Sequence, residues 1–281
     1  MKIGIVGPAD RAVAWEEHMR PHRTVKEVAI TPHIKDIGEV DACLILDESE
    51  DKVNILLKAI RLGYHSFLVS SLPTSQPDIE KIYHTAEEAN VLLQFAHWPT
   101  FAPASQWMSQ KVTKPTFLHI TREISYTQFL ENNHSLDYYW IDELAYCLKW
   151  VNGNVHHIDV KTVNLQGGKE RAIHLFLRFD SGATANIFIN SCSSSNRHQR
   201  FAADQALLLD CDVHSQSVRL GKNNNQQHLF FEKQSFDASR AAEIAATQFL
   251  KSIQLKKATQ FNGYDLLKLA NEVSKIKDRL L

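Results

Sequence analysis

The chain has 281 residues, room for one large or two ordinary domains, and its 44% hydrophobic and 22% charged residues are those of a globular protein. Lys plus Arg is 31 against 32 Asp plus Glu, a net charge of −1, so it carries no electrostatic footprint for nucleic acid or an anionic membrane surface. No apolar run approaches the ~20 residues that cross a bilayer.

The start, MKIGIVG, passes directly into a strand pattern without a signal-peptide cleavage region. Cys43, Cys147, Cys192 and Cys211 are far apart and mostly in apolar runs. They read as reduced thiols of a cytoplasmic protein, not as a disulfide or zinc framework.

In chain order, "KIGIVG" (2–7) predicts an apolar strand ending in glycine, with Asp10 capping the helix that follows. "VKEVAIT" (25–31) and "VDACLIL" (40–46) predict two more strands, the second closed by the acidic turn 47–50. Residues 51–63 carry a helical apolar stripe and stop at Gly63. A strand at 66–69, a helix opened by Ser75, Pro77 and Asp78, and the strand "VLLQFAH" (91–97) complete the series. Strands this apolar are buried on both faces, in a parallel sheet covered by helices.

After about residue 100 the rhythm changes. A helix is expected at 101–112, a strand at 116–124 and an apolar helix at 135–153. Strands then follow without helices between them, at 157–165, 172–179, 183–190, 205–210, 216–220 and 228–232. Asp180-Ser181-Gly182 marks a hairpin turn. "NSCSSSNRHQR" (190–200) and "GKNNNQQ" (221–227) read as polar loops, and two helices, 237–255 and 263–280, close the chain. The expected fold class is α/β: an N-terminal Rossmann-like doubly wound parallel sheet (1–99) and a C-terminal α+β domain with a mostly antiparallel sheet (100–281). The last helices are expected to pack back on the first domain.

The order of these pieces resembles the Gfo/Idh/MocA family, the relatives of glucose–fructose oxidoreductase and inositol dehydrogenase. The likeness rests on "KIGIVG", on "VDACLILDESEDKVNILLKAIRLGYHSFLV", on "IEKIYHTAEEANVLLQFAHWPTFAPASQWM", on "LRFDSGATANIFIN" and on the closing helices. The resemblance implies an NAD- or NADP-dependent oxidoreductase fold acting on sugars, polyols or related small molecules. It also implies a homodimer or tetramer interface on the C-terminal sheet. Cofactor contacts are implied for Gly7, Ala9, Arg11, Ala12, Thr31, Leu46, Ser71, Pro73 and Trp98.

The chain departs from that pattern at each chemical position. The phosphate turn has Ala9 and Ala12 where second and third glycines are customary. Pro8 removes an N–H, and Asp10 sits where a phosphate would meet the helix. This reads either as a phosphate-binding turn helped by Arg11 or as a plain strand–helix turn. Thr31-Pro32-His33 stands where a carboxylate would hold the ribose. Leu72, in Ser71-Leu72-Pro73, replaces the family's positioning lysine and has neither charge nor donor. On the helix 135–153, Asp142 or Glu143 takes the place of a proton-shuttling histidine, with Tyr138, Tyr139 or Tyr146 near. His97 is a further candidate, against a structural reading. Tyr126, Asn132, Asn133 and His134 are candidate ligand contacts, and Arg197 and Arg200 either recognise an anion or sit in water. No metal-ligand spacing, Walker loop or nucleophile elbow is present.

Three readings follow: a ligand-binding protein with a degenerate active site, an active NAD(P)-dependent oxidoreductase with replaced groups, and a structural homodimer subunit. In the last, the sheet face bearing His174, Phe176, Arg178, Asn186, Phe188 and Asn190 is covered by a second subunit or by the terminal helices.

Overall fold

Five short runs of Val, Ile, Leu and Phe become five parallel strands in the computed structural model, which describes residues 1–132, 134–165, 170–223 and 229–280. The chain divides into two compact units. Unit 1 holds residues 1–101 and 240–270, and unit 2 holds 102–239 and 271–280 of the described chain.

Unit 1 runs β1 (Lys2–Val6), α1 (Ala9–Met19), β2 (Glu27–Thr31), a 3-10 turn (Ile34–Asp36), β3 (Ala42–Ile45), α2 (Lys52–Arg61), β4 (His65–Leu68), α3 (Gln76–Ala89), β5 (Leu93–Phe95) and α4 (Trp98–Phe101). The strand order is β2-β1-β3-β4-β5. The chain therefore reverses direction across the sheet between β1 and β3, the switch point beside which ligands of such sheets bind. β1, β3 and β4 are buried almost throughout, as a sheet covered on both faces requires.

β2 departs from that expectation. Ile30 is 38% exposed, and only Thr31 of the strand is buried. The reason is the ten-residue connection 32–41, which has room for a single 3-10 turn and no covering helix.

Ser75 accepts a hydrogen bond from the Asp78 amide and caps α3, with Pro77 in its first turn, as the sequence indicates. α2 ends through Gly63 in the left-handed region (φ +81°). Asp10 does not cap α1: the cap position is Pro8, and Asp10 lies within the first turn. There its charge favours the helix dipole without satisfying a particular amide.

Unit 2 contains α5 (Pro103–Lys111), β6 (Phe117–Ser125), α6 (Tyr126–Asn132), α7 (Leu136–Val151), β7 (Val155–Asn164), β8 (Glu170–Phe179), β9 (Thr184–Ser193), β10 (Arg197–Ala203), β11 (Leu207–Asp212), β12 (Ser217–Asn223) and β13 (Leu229–Ser235). α8 (Ala241–Leu255) belongs to unit 1, and α9 (Gly263–Lys277) begins in unit 1 and ends in unit 2. The eight strands pair in the order β13-β12-β11-β10-β6-β9-β8-β7, all antiparallel except β6 with β9.

The helix expected at 101–112 is α5 (Pro103–Lys111), and the short α4 precedes it as a separate helix because Pro103 cannot continue α4 and instead starts α5. The stretch 190–200 is not a loop. β9 runs to Ser193, and β10 begins at Arg197 after a three-residue turn. Residues 126–132, which carry two of the candidate ligand contacts, form a short helix. Of the polar stretch 221–227, residues 224–227 lie outside the described residues, as does Asn133. Among the described residues, no helix is long and apolar enough to cross a membrane.

Candidate functional site

In unit 1 the turn after β1 is built by Gly7. Its φ of +147° disfavours an L side chain, and a Cβ there would stand 2.8 Å from Leu46 Cβ. The Gly7 amide donates to Thr31 O at 3.1 Å, which ties the turn to the end of β2. Ala12 is buried and the Ala12 amide donates to Pro8 O, while Ala9 opens the helix.

Beside this turn lies a polar knot that joins the carboxyl ends of β1, β3 and β4. Arg11 donates to Leu46 O at 2.9 Å and to Glu48 Oε1 at 3.3 Å. Glu48 Oε2 accepts from the Ser71 amide at 3.1 Å and from its hydroxyl at 3.3 Å. Lys52 Nζ donates to Ser71 Oγ at 2.5 Å. The knot brings Arg11, Leu46 and Ser71 together. It adds Glu48 and Lys52, which the sequence reading took as part of an acidic turn and a helix start.

Leu72 is half-buried and Pro73 buried beside the knot. Neither offers a proton or a charge. Ser70, two residues beyond β4, is 2% exposed, and its hydroxyl has no hydrogen-bond partner among the described residues. A buried hydroxyl left over at a strand end is a position that a ligand can satisfy.

Trp98 is 41% exposed and stacks on Trp15 at 6.3 Å between ring centroids. His97 is 1% exposed. It shares a 2.7 Å hydrogen bond with Thr100 and stacks on Phe261 at 4.6 Å, which makes the ring part of the packing.

In unit 2 the two candidate carboxylates differ sharply. Glu143 is fully buried and forms a two-pronged pair with Arg200: Nε to Oε2 and Nη2 to Oε1, both 2.9 Å. Arg200 also donates to Ser105 and lies over the Tyr146 ring at 4.2 Å. His198 Nε2 stands 2.9 Å from Glu143 Oε1, without the alignment of a hydrogen bond, and Arg122 stands 3.5 Å away.

Burial alone would push the Glu143 carboxyl up, but Arg200 and His198 overcome it and hold it well below the ordinary value. Burial lowers His198, against the opposing pull of Glu143. Burial pushes the Tyr146 hydroxyl up, so it stays protonated. Arg200 is therefore neither in water nor open to a ligand: it is the counter-ion of Glu143.

Asp142 faces the half-buried Arg122 at 3.9 Å, and the Arg122 guanidinium lies over the Tyr139 ring at 4.7 Å. Tyr139 is buried and accepts from Asn132, while Tyr138 is 51% exposed and stacks on His134 at 4.2 Å. Tyr126 is exposed beneath the Arg171 guanidinium. Arg197 is exposed and held by Gln199. Of these candidates, Asp142 and Arg122 are partly exposed, and Tyr126, His134, Tyr138 and Arg197 are exposed.

No family model and no curated protein matches this chain. Solved structures do, with the fold shared from end to end. UDP-N-acetylglucosamine 3-dehydrogenase from Acidithiobacillus ferrooxidans is similar at a TM-score of 0.78 and 14% identity, over 99% of this chain and 97% of that one. An NAD-binding oxidoreductase from Klebsiella pneumoniae is similar at 0.81 and 12% identity, over 99% and 96%. An oxidoreductase from Agrobacterium radiobacter, solved with NAD+, L-tartaric acid and magnesium, is similar at 0.77 and 10% identity, over 99% and 95%. At these identities the likeness is one of fold.

Proposed function

We propose that this chain, which has the fold of Gfo/Idh/MocA-type NAD-binding dehydrogenases, binds a nicotinamide dinucleotide and a small ligand through a site stripped of the usual acid–base groups. The observation that carries this reading is the carboxyl end of β4. There the sequence places Leu72, which has no proton to give, while Glu143 is consumed by Arg200 and His97 by packing. A positioned acid–base partner commonly contributes ~100- to 10,000-fold in rate. Without one, binding outlasts turnover.

The residues present fit a dinucleotide in part. Gly7 allows close approach, no side chain caps α1, and the Ser70 hydroxyl is unspent. Asp10 opposes a phosphate at the helix start, and Arg11 offsets it. Gly7, Ala9, Arg11, Ala12, Thr31, Leu46, Ser71, Pro73 and Trp98 would line the bound molecule. When bound, it supplies a hydride donor or acceptor. The chain's own part is to orient it and to exclude water.

A second reading is favoured by Lys52. Its ammonium reaches Ser71 Oγ at 2.5 Å, so a cationic donor stands at the end of β4 although Leu72 does not provide one. In this reading the protein is an active oxidoreductase of a sugar- or polyol-like molecule, with Lys52 as the replacement donor. Purified protein titrated with NADH and NADPH, then assayed for dinucleotide oxidation or reduction against a panel of aldoses, inositols and nucleotide sugars, separates the two. Binding without turnover supports the first reading. Turnover lost in Lys52→Met and partly kept in Lys52→Arg supports the second. No binding at millimolar dinucleotide overturns both.

We further propose that two copies associate through the outer face of the eight-stranded sheet. The support is a band of half-buried aromatic residues there, among them Phe117, Phe176, Phe188 and Phe201.

A further inference from the structure

Between β3 and α2 the chain includes Asp47-Glu48-Ser49-Glu50-Asp51, and these four acids are used differently. Two are spent on their own loop: Asp47 accepts from the Ser49 amide at 2.6 Å, and Asp51 from the Asn54 side chain at 2.8 Å. Glu50 is exposed. Glu48 instead reaches across the carboxyl ends of the strands, to Arg11 in α1 on one side and to Ser71 beyond β4 on the other. All of these residues belong to unit 1.

The donors that meet the Glu48 carboxylate form a set fit for an oxyanion. Arg11 Nη2 serves Oε1, and the amide and hydroxyl of Ser71 both serve Oε2. The direction of the hydroxyl proton is fixed, because Lys52 Nζ donates to the same oxygen and leaves it to give its own hydrogen to Glu48. One carboxylate therefore faces a guanidinium, an amide and a hydroxyl, with an ammonium behind the hydroxyl. Arg11 is also anchored on Leu46 O, so its guanidinium is held in this place by a second bond besides that to Glu48. The Arg11 and Glu48 side chains are 36% and 48% exposed. A pair so open to water adds little to folding. The same donors suit the oxygens of a phosphoryl group, which take charge-assisted hydrogen bonds of the same kind.

We infer that Glu48 is a built-in competitor: its carboxylate fills an oxyanion site made by Arg11, Ser71 and Lys52, and a phosphoryl group that enters beside the turn after β1 must displace it. That the phosphoryl group belongs to a dinucleotide rests on the reading given above. The competition follows from charge and from tethering. Two anions cannot share one set of donors without repulsion. A carboxylate carried by the chain itself is present at its site at a high effective concentration, so it lowers the affinity of a ligand that needs those donors. Asp47 and Asp51 are turned to their own loop, which leaves Glu48 as the acid with this effect. Removing its charge should strengthen binding without choosing between NADH and NADPH, which share the pyrophosphate.

The test compares the full wild-type chain with Glu48→Gln, which keeps the shape and removes the charge, and with Glu50→Gln, which removes the same charge from the neighbouring exposed acid. Both positions are exposed, and thermal melts should show the variants folded. Calorimetric titration at low, fixed salt should show NADH and NADPH each bound about two- to fivefold more tightly by Glu48→Gln, the range in which exposed charges interact. Glu50→Gln should bind them as the wild type does. In melts with inorganic pyrophosphate alone, Glu48→Gln should gain a larger upward shift than the wild type. Dinucleotide binding by Glu48→Gln that is equal to wild type or weaker overturns the inference and leaves the dinucleotide reading intact. A gain that Glu50→Gln reproduces is an effect of net charge and also overturns the inference. Pyrophosphate that stabilises Glu48→Gln more than wild type, while neither dinucleotide binds, overturns the dinucleotide reading and supports the site. No response to either probe in any of the three proteins overturns both.

Discussion

Glu143 is the one carboxylate among the buried residues of α7, which are otherwise aromatic, aliphatic and thiol. A charge in such a place is stable only with a partner, and truncating one member of a buried pair typically costs about 3–5 kcal/mol. Glu143→Ala should therefore destabilise unit 2 by about that amount in urea denaturation, with little direct effect on ligand binding. A loss below about 1 kcal/mol would mean that the pair is not holding the fold.

The acid side of the stability curve follows from the same cluster. Glu143 has a folded value below its ordinary 4.5, so its contribution is present above pH 4.5 and is lost as the pH falls toward the folded value. His198 is depressed below 6.5 and has the same sign, with its share lost as the pH falls below 6.5. Stability should decline from pH 7 to pH 5, and His198→Gln should flatten that part of the curve. A profile unchanged by the substitution would contradict the assignment to His198.

The thiols make a separate point. Burial pushes Cys43 and Cys211 up to about 12 and raises Cys147 as well, while Cys192 is exposed. A thiol reagent such as DTNB should modify one cysteine in the native protein and four after unfolding. The roles of Arg200 and Glu143 were half-legible in the sequence. An acid among Trp140, Leu144 and Cys147 demands a buried base, but nothing in the local pattern says that the base lies 57 residues away.

At the scale of elements, the first hundred residues were readable because their rules are local. Apolar runs gave the strands, Ser75 and Pro77 the start of α3, and Gly63 the end of α2. β10 was not readable, because its inward positions include His198 and Arg200. Their burial inverts the usual alternation, and a strand so patterned looks like a polar loop. Lys52 and Glu48 were overlooked for a similar reason. "DESEDK" resembles a solvated turn until α1 and the end of β4 bring Arg11 and Ser71 against it.

The strand–turn–helix element around Gly7 makes its own prediction. An added methyl would meet Leu46 Cβ at 2.8 Å in a conformation that L residues rarely adopt. Such strain is of the order of 1–3 kcal/mol. Gly7→Ala should lower stability by about that much and should weaken NADH and NADPH binding together, since the turn serves the part that both share. Weakened binding without lost stability would mean that the backbone relaxes there.

At the scale of the whole molecule, the sheet of unit 2 poses the remaining packing problem. Its inner face is buried under α7 by Ile173, Leu175, Leu177, Ile187 and Ile189. The terminal residues also lie on that side: Arg279 donates to Ile158 O, and Lys277 pairs with Asp137 at the start of α7. On the opposite face the register sets Phe176 beside Asn186, His174 beside Phe188 and His119 beside Phe201. Phe117 packs on Phe201 at 6.1 Å between centroids. These rings remain half-buried at best, an arrangement that leaves apolar area in water unless a second surface meets it. A stable interface removes about 800 Å² from each partner, and an eight-stranded sheet offers a face broad enough for that. Light scattering during gel filtration should give a dimer mass for the wild type and a monomer mass for Phe176→Glu/Phe188→Glu. Because both side chains point away from the core, the double variant should melt as a folded protein. A wild-type monomer at micromolar concentration would refute association through this face. A dimer that persists in the double variant would place the interface elsewhere, and the exposed Leu229, Phe230 and Phe231 of the edge strand β13 would be the next substitutions to make.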